Sequence, residues 1–171
     1  MKLQAWLKKN EACSEGAEWA KGAKNMKEAW ETCQRPEWML WGLGRIGYSD
    51  DKILRLYACA CVRGTPIVKG TVWDLLTDER SRHAVEVAER FAEGKATEEE
   101  RSAARDAAIS AAWDAASADA ISASAAWYAA WGAARGAARG AARAWQSNKL
   151  REMFPWADID KAIKSRKRKP I

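Results

Sequence analysis

The sequence predicts an all-α fold: a single-domain helical bundle rich in alanine and tryptophan, closing on a long C-terminal helix or a helical hairpin. Alanine, the best helix former, dominates, while the β-branched and aromatic residues that strands favour are few apart from tryptophan. Apolar residues recur at helical spacing between capping residues, glycines and prolines, and no period-two run is visible. In the Ala-rich run, Trp113, Trp127, Trp131 and Trp145 are spaced 14, 4 and 14 apart. At about 100° per residue they share one stripe about 40° wide, which predicts a packed helix or hairpin with the four indoles buried.

The elements follow in chain order. Residues 11–32 carry Ala12, Trp19, Ala20, Ala23, Met26 and Trp30 at mostly helical spacing, predicting one first helix, weakened by Gly16 and Gly22. Pro36 suits the first turn of the next helix, which Gly42, Gly44 and Gly47 end. Ser49-Asp50-Asp51 caps a helix running to Arg63, stopped by Gly64-Thr65-Pro66. A loop to Gly70 and a short helix from Thr71 precede Asp78, which caps a helix ending at Gly94. Thr97 and Glu100 have the form of a capping box, and the Ala-rich helix starts there. Unbroken to Leu150 it would span roughly 75 Å, too long for a domain of this size, so a break is expected within residues 117–124. Pro155 ends that segment, and Asp158-Ile159-Asp160 opens a short final helix.

Within the run, Gly132, Gly136 and Gly140 recur every four residues in a GAAR repeat. Glycine in a helix costs about 1 kcal/mol against alanine, so the ladder predicts the closest helix approach in the molecule.

A chain of 171 residues suits one domain, read here as residues 1–160 followed by a basic tail, 161–171. The 48% hydrophobic content is inflated by alanine, so bulk must come from the eleven tryptophans. The formal charge of +6 resides in the tail: removing its six Lys and Arg residues brings the balance to zero, which argues against a whole-domain nucleic-acid field. Residues 1–9 lack a signal core and no segment suits a bilayer, while the cysteines lack a secreted framework; a bacterial cytoplasm is expected.

Arg135, Arg139 and Arg143 sit beside the tryptophan stripe. With Trp131, Trp145 and Tyr128 they form the candidate site for an anion or nucleotide, guanidiniums holding phosphate while a ring stacks on a base. The alternative is a solvated face whose arginines lie over alanines. Lys164, Arg166, Lys167, Arg168 and Lys169 are the nucleic-acid candidates, against a solubilising end. Cys59, Cys61 and the lone His83 lack metal-site spacing, no nucleophile or phosphate motif exists, and the acidic runs read as caps, so no catalytic residue, metal or cofactor is expected.

The stretches Ile53–Arg63 and Arg82–Gly94, the Ala-rich helix and Arg35–Trp41 together resemble small helical immunity proteins of phages and bacteria, over residues 36–156. The resemblance implies an all-helical fold, a phage or bacterial source and a non-enzymatic role in conflict between genomes, and supplies no site residues. The expected function is a phage-encoded counter-defence factor that sequesters an anionic nucleotide signal or blocks a host defence protein. The alternatives are a nucleic-acid-associated protein acting through its tail and a toxin-immunity protein. A homo-oligomer stays open.

Overall fold

The computed structural model describes residues 2–48, 50–119 and 125–166, with side chains set aside over 112–119, 125–138 and at 166. The fold is all-α: ten helices and no strand among the described residues, with one isolated bridge between Pro66 and Thr71. Two compact units form, the first from Met1–Ser49 with Gln146–Ile171 and the second from Asp50–Trp145.

The first unit begins with α1 (Leu3–Lys9), a helix that the sequence reading did not place, which buries Leu3, Trp6 and Leu7 on one side. The single helix expected over 11–32 is instead two, α2 (Ser14–Trp19) and α3 (Met26–Thr32), with a 3-10 turn at Ala20–Gly22. The break has a local cause: Asn25 Oδ1 accepts from the Glu28 amide at 3.0 Å, and the Glu28 carboxylate accepts from the Lys24 amide at 2.7 Å. These bonds start a new helix where a continuous one would leave both side chains idle. Pro36 opens α4 (Pro36–Arg45) as expected, but Gly42 and Gly44 lie inside the helix and only Gly47 ends it. Pro36, Met39 and Leu43 are its buried face.

The closing segment of this unit is the end of α9 (Ala125–Met153) and α10 (Trp156–Arg166). Ser147, Leu150 and Phe154 are fully buried, and the Phe154 ring meets Tyr48 edge-on at 5.3 Å. Arg151 donates through Nε to the Trp30 carbonyl at 3.1 Å and through Nη2 to the Cys33 carbonyl. A guanidinium thereby satisfies carbonyls that the C-terminal end of α3 leaves open, and burial pulls its pKa down.

In the second unit, α5 (Asp51–Gly64) is capped by Asp50, α6 (Val72–Leu75) by the reciprocal Thr71–Asp74 pair and α7 (Glu79–Ala92) by Asp78. The capping box at α8 (Glu98–Asp119) is present: the Thr97 amide donates to Glu100 at 2.7 Å and the Glu100 amide to Thr97 Oγ1 at 3.2 Å. Tyr57 and Cys59 of α5, Val87 and Ala92 of α7 and Ala104 and Ala111 of α8 are buried, with α7 packed against both α5 and α8. Helices α8 and α9 share the Ala-rich run between them, and residues 120–124 lie outside those described.

Of the glycine ladder only Gly140 is on view, and there the expected close approach is not found. A Cβ at Gly140 would meet nothing within 4 Å, so no helix presses on it, and Gly132 and Gly136 lie among the side chains set aside. The tight approach is at Gly64, the last residue of α5, where a Cβ would stand 2.9 Å from Trp145 Cη2 and closer still to Cζ2. An indole there occupies the space that a side chain would take. Trp145 is half-buried, and Trp113, Trp127 and Trp131 lie outside the described side chains.

Three helices of the chain end in the same way. In α4 and α7 a glycine in the left-handed region, Gly47 at φ 74° and Gly94 at φ 74°, is followed by an amide returning to the last turn. Tyr48 bonds the Leu43 carbonyl at 3.0 Å and Lys95 the Arg90 carbonyl at 2.7 Å. In α1 the equivalent bonds run from Glu11 to Lys8 at 3.3 Å and from Ala12 to Leu7 at 3.0 Å, but the left-handed residue is Glu11, φ 58°. Glycine is favoured in this motif because a Cβ clashes with its own backbone there.

Two outcomes are expected. Glu11→Gly raises stability by about 1 kcal/mol, since the left-handed penalty disappears, read as a higher denaturation midpoint; a lower midpoint refutes the assignment of strain. Gly64→Ala lowers stability by about 1 to 3 kcal/mol through overpacking against Trp145. In a Trp145→Ala background the same change becomes neutral or stabilising, because alanine is the better helix residue.

Candidate functional site

The first unit contains a cavity of about 470 Å³, within the range of small-molecule sites. Its walls come from five helices and the links between them: Leu3, Trp6 and Leu7 of α1, Trp19 of α2, Met26 and Trp30 of α3, Trp38 and Trp41 of α4, Trp156 and Ile159 of α10. All six tryptophans of this unit line it. Of these, Trp6 alone is buried; Trp30, Trp38, Trp41 and Trp156 are half-buried and Trp19 is exposed.

Local sequence explains how the indoles are aimed. On α1, Leu3, Trp6 and Leu7 follow i, i+3, i+4 spacing and turn one face inward. On α4, Met39 and Leu43 fix the buried side, which leaves Trp38 and Trp41, three apart, beside it and toward the cavity. The rings meet in pairs: Trp6 and Trp41 edge to face at 5.6 Å, Trp19 and Trp38 tilted at 5.7 Å. A Cβ at Gly16 would make ordinary contact with the Trp38 ring at 3.6 Å and would press on Cys13 Sγ at 3.2 Å. Trp30 Nε1 is buried without a hydrogen-bond partner. That indole is used for its surface, at the usual cost of an unsatisfied donor.

Electrostatically the lining is one-sided. Its charged residues are Glu11 and Glu37, and among the described residues no Lys, Arg or His lines it. Just outside it, the Arg35 guanidinium lies 4.4 Å from the Trp38 ring and is held by Glu37 at 2.6 Å and Glu15 at 3.1 Å. Arg45 lies 5.7 Å from the Trp41 ring. Cys13 and Cys33 also line the cavity. Cys13 is exposed, its Sγ accepting from the Gly16 amide; Cys33 is buried, its Sγ engaged with the Arg35 backbone. Burial pushes the Cys33 thiol above its ordinary range.

The arginine row is only partly on view. Arg139 is exposed, Arg143 and Trp145 are half-buried, and Trp145 is committed to Gly64; the side chains of Tyr128, Trp131 and Arg135 lie outside those described. In the tail, Lys164 pairs with Asp160, Arg166 is the last described residue, and Lys167, Arg168 and Lys169 lie beyond. Cys59 and Cys61 are held inside the second unit, where Cys59 Sγ donates to the Val85 carbonyl at 3.9 Å and burial raises both thiols. Among the described residues no three His, Cys, Asp or Glu side chains gather as a metal site, and no helix is long and apolar enough to cross a membrane.

One cluster in the second unit was not anticipated. Trp73 has Arg63 4.1 Å and Arg82 5.4 Å from its ring, and Glu89 grips Arg63 through two bonds of 2.6 and 2.7 Å. This bidentate pair and its cation–π contacts tie α5, α6 and α7 together. The cavity was missed as well, although five of the eleven tryptophans fall within the first 41 residues. That density was the available signal.

Compared with protein-family models, curated proteins and solved structures, the chain matches none.

Thiol titration checks the placement of the cysteines. In the folded protein Cys13 is expected to react promptly with a disulfide reagent and half-buried Cys61 more slowly, while Cys33 and Cys59 wait for unfolding because burial keeps them protonated and covered. Rapid reaction of Cys33 or Cys59 in the native state would contradict the cavity wall or the second core as described.

Proposed function

We propose that the chain is a non-enzymatic capture protein whose first unit holds a small ligand with an apolar, ring-bearing body. The observation that carries this reading is the cavity wall: six indoles, five of them only partly buried, around about 470 Å³ of space. Had the tryptophans served as core alone, their large apolar surfaces would close on one another, because burying them is strongly favourable. Left apart, they offer faces on which a planar or alkyl group gains contact area without a conformational change in the walls.

Capture, not turnover, suits the chemistry of the wall. A general acid or base needs a titratable group poised in the pocket, and a nucleophile needs an activating neighbour. The cavity offers two carboxylates, one engaged by Arg35, and two thiols, one of them buried and pushed toward its protonated form. Sequestration of a signal, the role expected from the resemblance to immunity proteins, requires only affinity and residence time. The anionic nucleotide expected from the sequence was placed on the row Arg135, Arg139 and Arg143, not here; that no Lys, Arg or His among the described residues lines this cavity favours a different charge for whatever occupies it.

A neutral, environment-sensitive probe such as N-phenyl-1-naphthylamine tests the reading. Saturable, one-site fluorescence enhancement is expected, together with slower alkylation of Cys13 when the probe is bound. Trp38→Ala should weaken binding by about tenfold, the scale of one lost aromatic contact. Ile109→Ser, on the exposed surface of the second unit, should leave it unchanged. Non-saturable enhancement, or a Trp38→Ala variant with unaltered binding and unaltered Cys13 protection, would remove the cavity from consideration.

A further inference from the structure

We infer that the cavity takes an organic cation: an alkylated ammonium group carried on an apolar or aromatic body. This rests on the capture reading above and adds to it the sign of the charge and the residue that meets it.

The first support is the wall itself. An indole presents a negative face, and a cage of such faces binds alkylammonium groups because the methyl groups spread the charge and lower its hydration. Among the described residues the lining adds two glutamates and no cationic residue. The structure already contains the same chemistry in miniature at its margin, where guanidiniums rest 4.4 Å from Trp38 and 5.7 Å from Trp41. Arg35 is neutralised by Glu15 and Glu37, so it does not oppose a second cation as a bare charge would.

The second support is Glu11. Glu37 is occupied by Arg35, whereas the Glu11 carboxylate makes no hydrogen bond or ion pair among the described residues. It lines the cavity and is exposed, which places it at the open edge. Its backbone is the only non-glycine one in the left-handed region among the described residues, and it occupies the motif position that Gly47 and Gly94 fill elsewhere in this chain. Strained backbone of this kind is found where a side chain does something that the relaxed alternative could not. A glycine at residue 11 would end α1 at lower cost and would leave the cavity without its one unengaged charge.

Size selects between two sources of the same chemistry. The methylated side chain of a lysine on a partner protein is thin and would leave most of about 470 Å³ empty. A free small molecule with a ring or branched body beside its ammonium fills it.

Three probes of one shape decide the matter, measured by tryptophan quenching and calorimetry on the full chain: benzyltrimethylammonium, its uncharged isostere neopentylbenzene and the anionic benzylphosphonate. The cation is expected to bind about tenfold more tightly than the neutral isostere, as a desolvated cation–π and carboxylate site should, and the anion not measurably. Glu11→Gln and Glu11→Gly should each abolish most of that preference while neopentylbenzene binding stays, with both variants folded by circular dichroism. If the neutral isostere binds as well as the cation, the inference fails and the capture reading stands. If the anion binds best, the inference fails and the anionic expectation returns. If no probe binds, both readings fall. Unchanged cation preference in both Glu11 variants overturns the role given to Glu11. Tighter binding of an acetylated trimethyl-lysine amide than of benzyltrimethylammonium overturns the choice of a free small molecule.

Discussion

Volume is the constraint on which the first unit depends. Its helices are short, and the large side chains they carry are mainly indoles, which are rigid plates. Leucine and methionine adapt to irregular gaps; an indole does not, and its N–H needs a partner that Trp30 lacks. Plates arriving from α1, α2, α3, α4 and α10 can meet edge to face, as Trp6 and Trp41 do, yet they cannot tile the space between five helices. The fully buried anchors, Leu43, Leu150 and Phe154, hold the frame, and the cavity is what the plates leave.

How far the sequence could be read varied with the range of the interaction concerned. Capping is local chemistry, and Asp50, Asp78 and the Thr97–Glu100 box stand where their side chains and the following amides predicted. The interruption within residues 11–32 escaped notice because Asn25 and Glu28 act as a cap only when the chain turns there, and Trp19 and Trp30 by themselves fit a continuous helix. The end of α1 escaped because the rule for that position looks for glycine, and Glu11 stands in its place. The glycine ladder misled for a related reason. Glycine permits close approach without requiring it; at Gly140 nothing approaches, while Gly64, a residue read only as a stop, receives the Trp145 ring. The cavity was the least legible feature, since its indoles come from five helices and no spacing along the chain relates Trp6 to Trp156.

Charge followed the same division between global and local. The whole chain carries +6, held in its last eleven residues, and a reading from net charge looks for anions. The cavity reverses that sign within a few ångströms, with carboxylates in the lining and guanidiniums just outside. At such distances the nearest charges weigh more on a site than the sum over the sequence does, because the Coulomb energy falls with separation.

The first unit is discontinuous in sequence, and that arrangement has a temporal consequence. Residues 1–49 leave the ribosome without Leu150, Phe154, Trp156 or Ile159, which belong to their core and their cavity wall. The second unit, 50–145, is contiguous and can assemble from neighbouring helices while synthesis continues. At elongation speeds of about 5 to 20 residues per second the wait for the missing wall is on the order of 5 to 20 s, long against helix formation and collapse. During that interval the nascent segment exposes a row of indoles with nothing to cover them, which makes it a natural client for chaperones. The cavity wall is complete only with the end of α9 and α10, so a chain truncated before Leu150 would retain most of its residues and lack that wall.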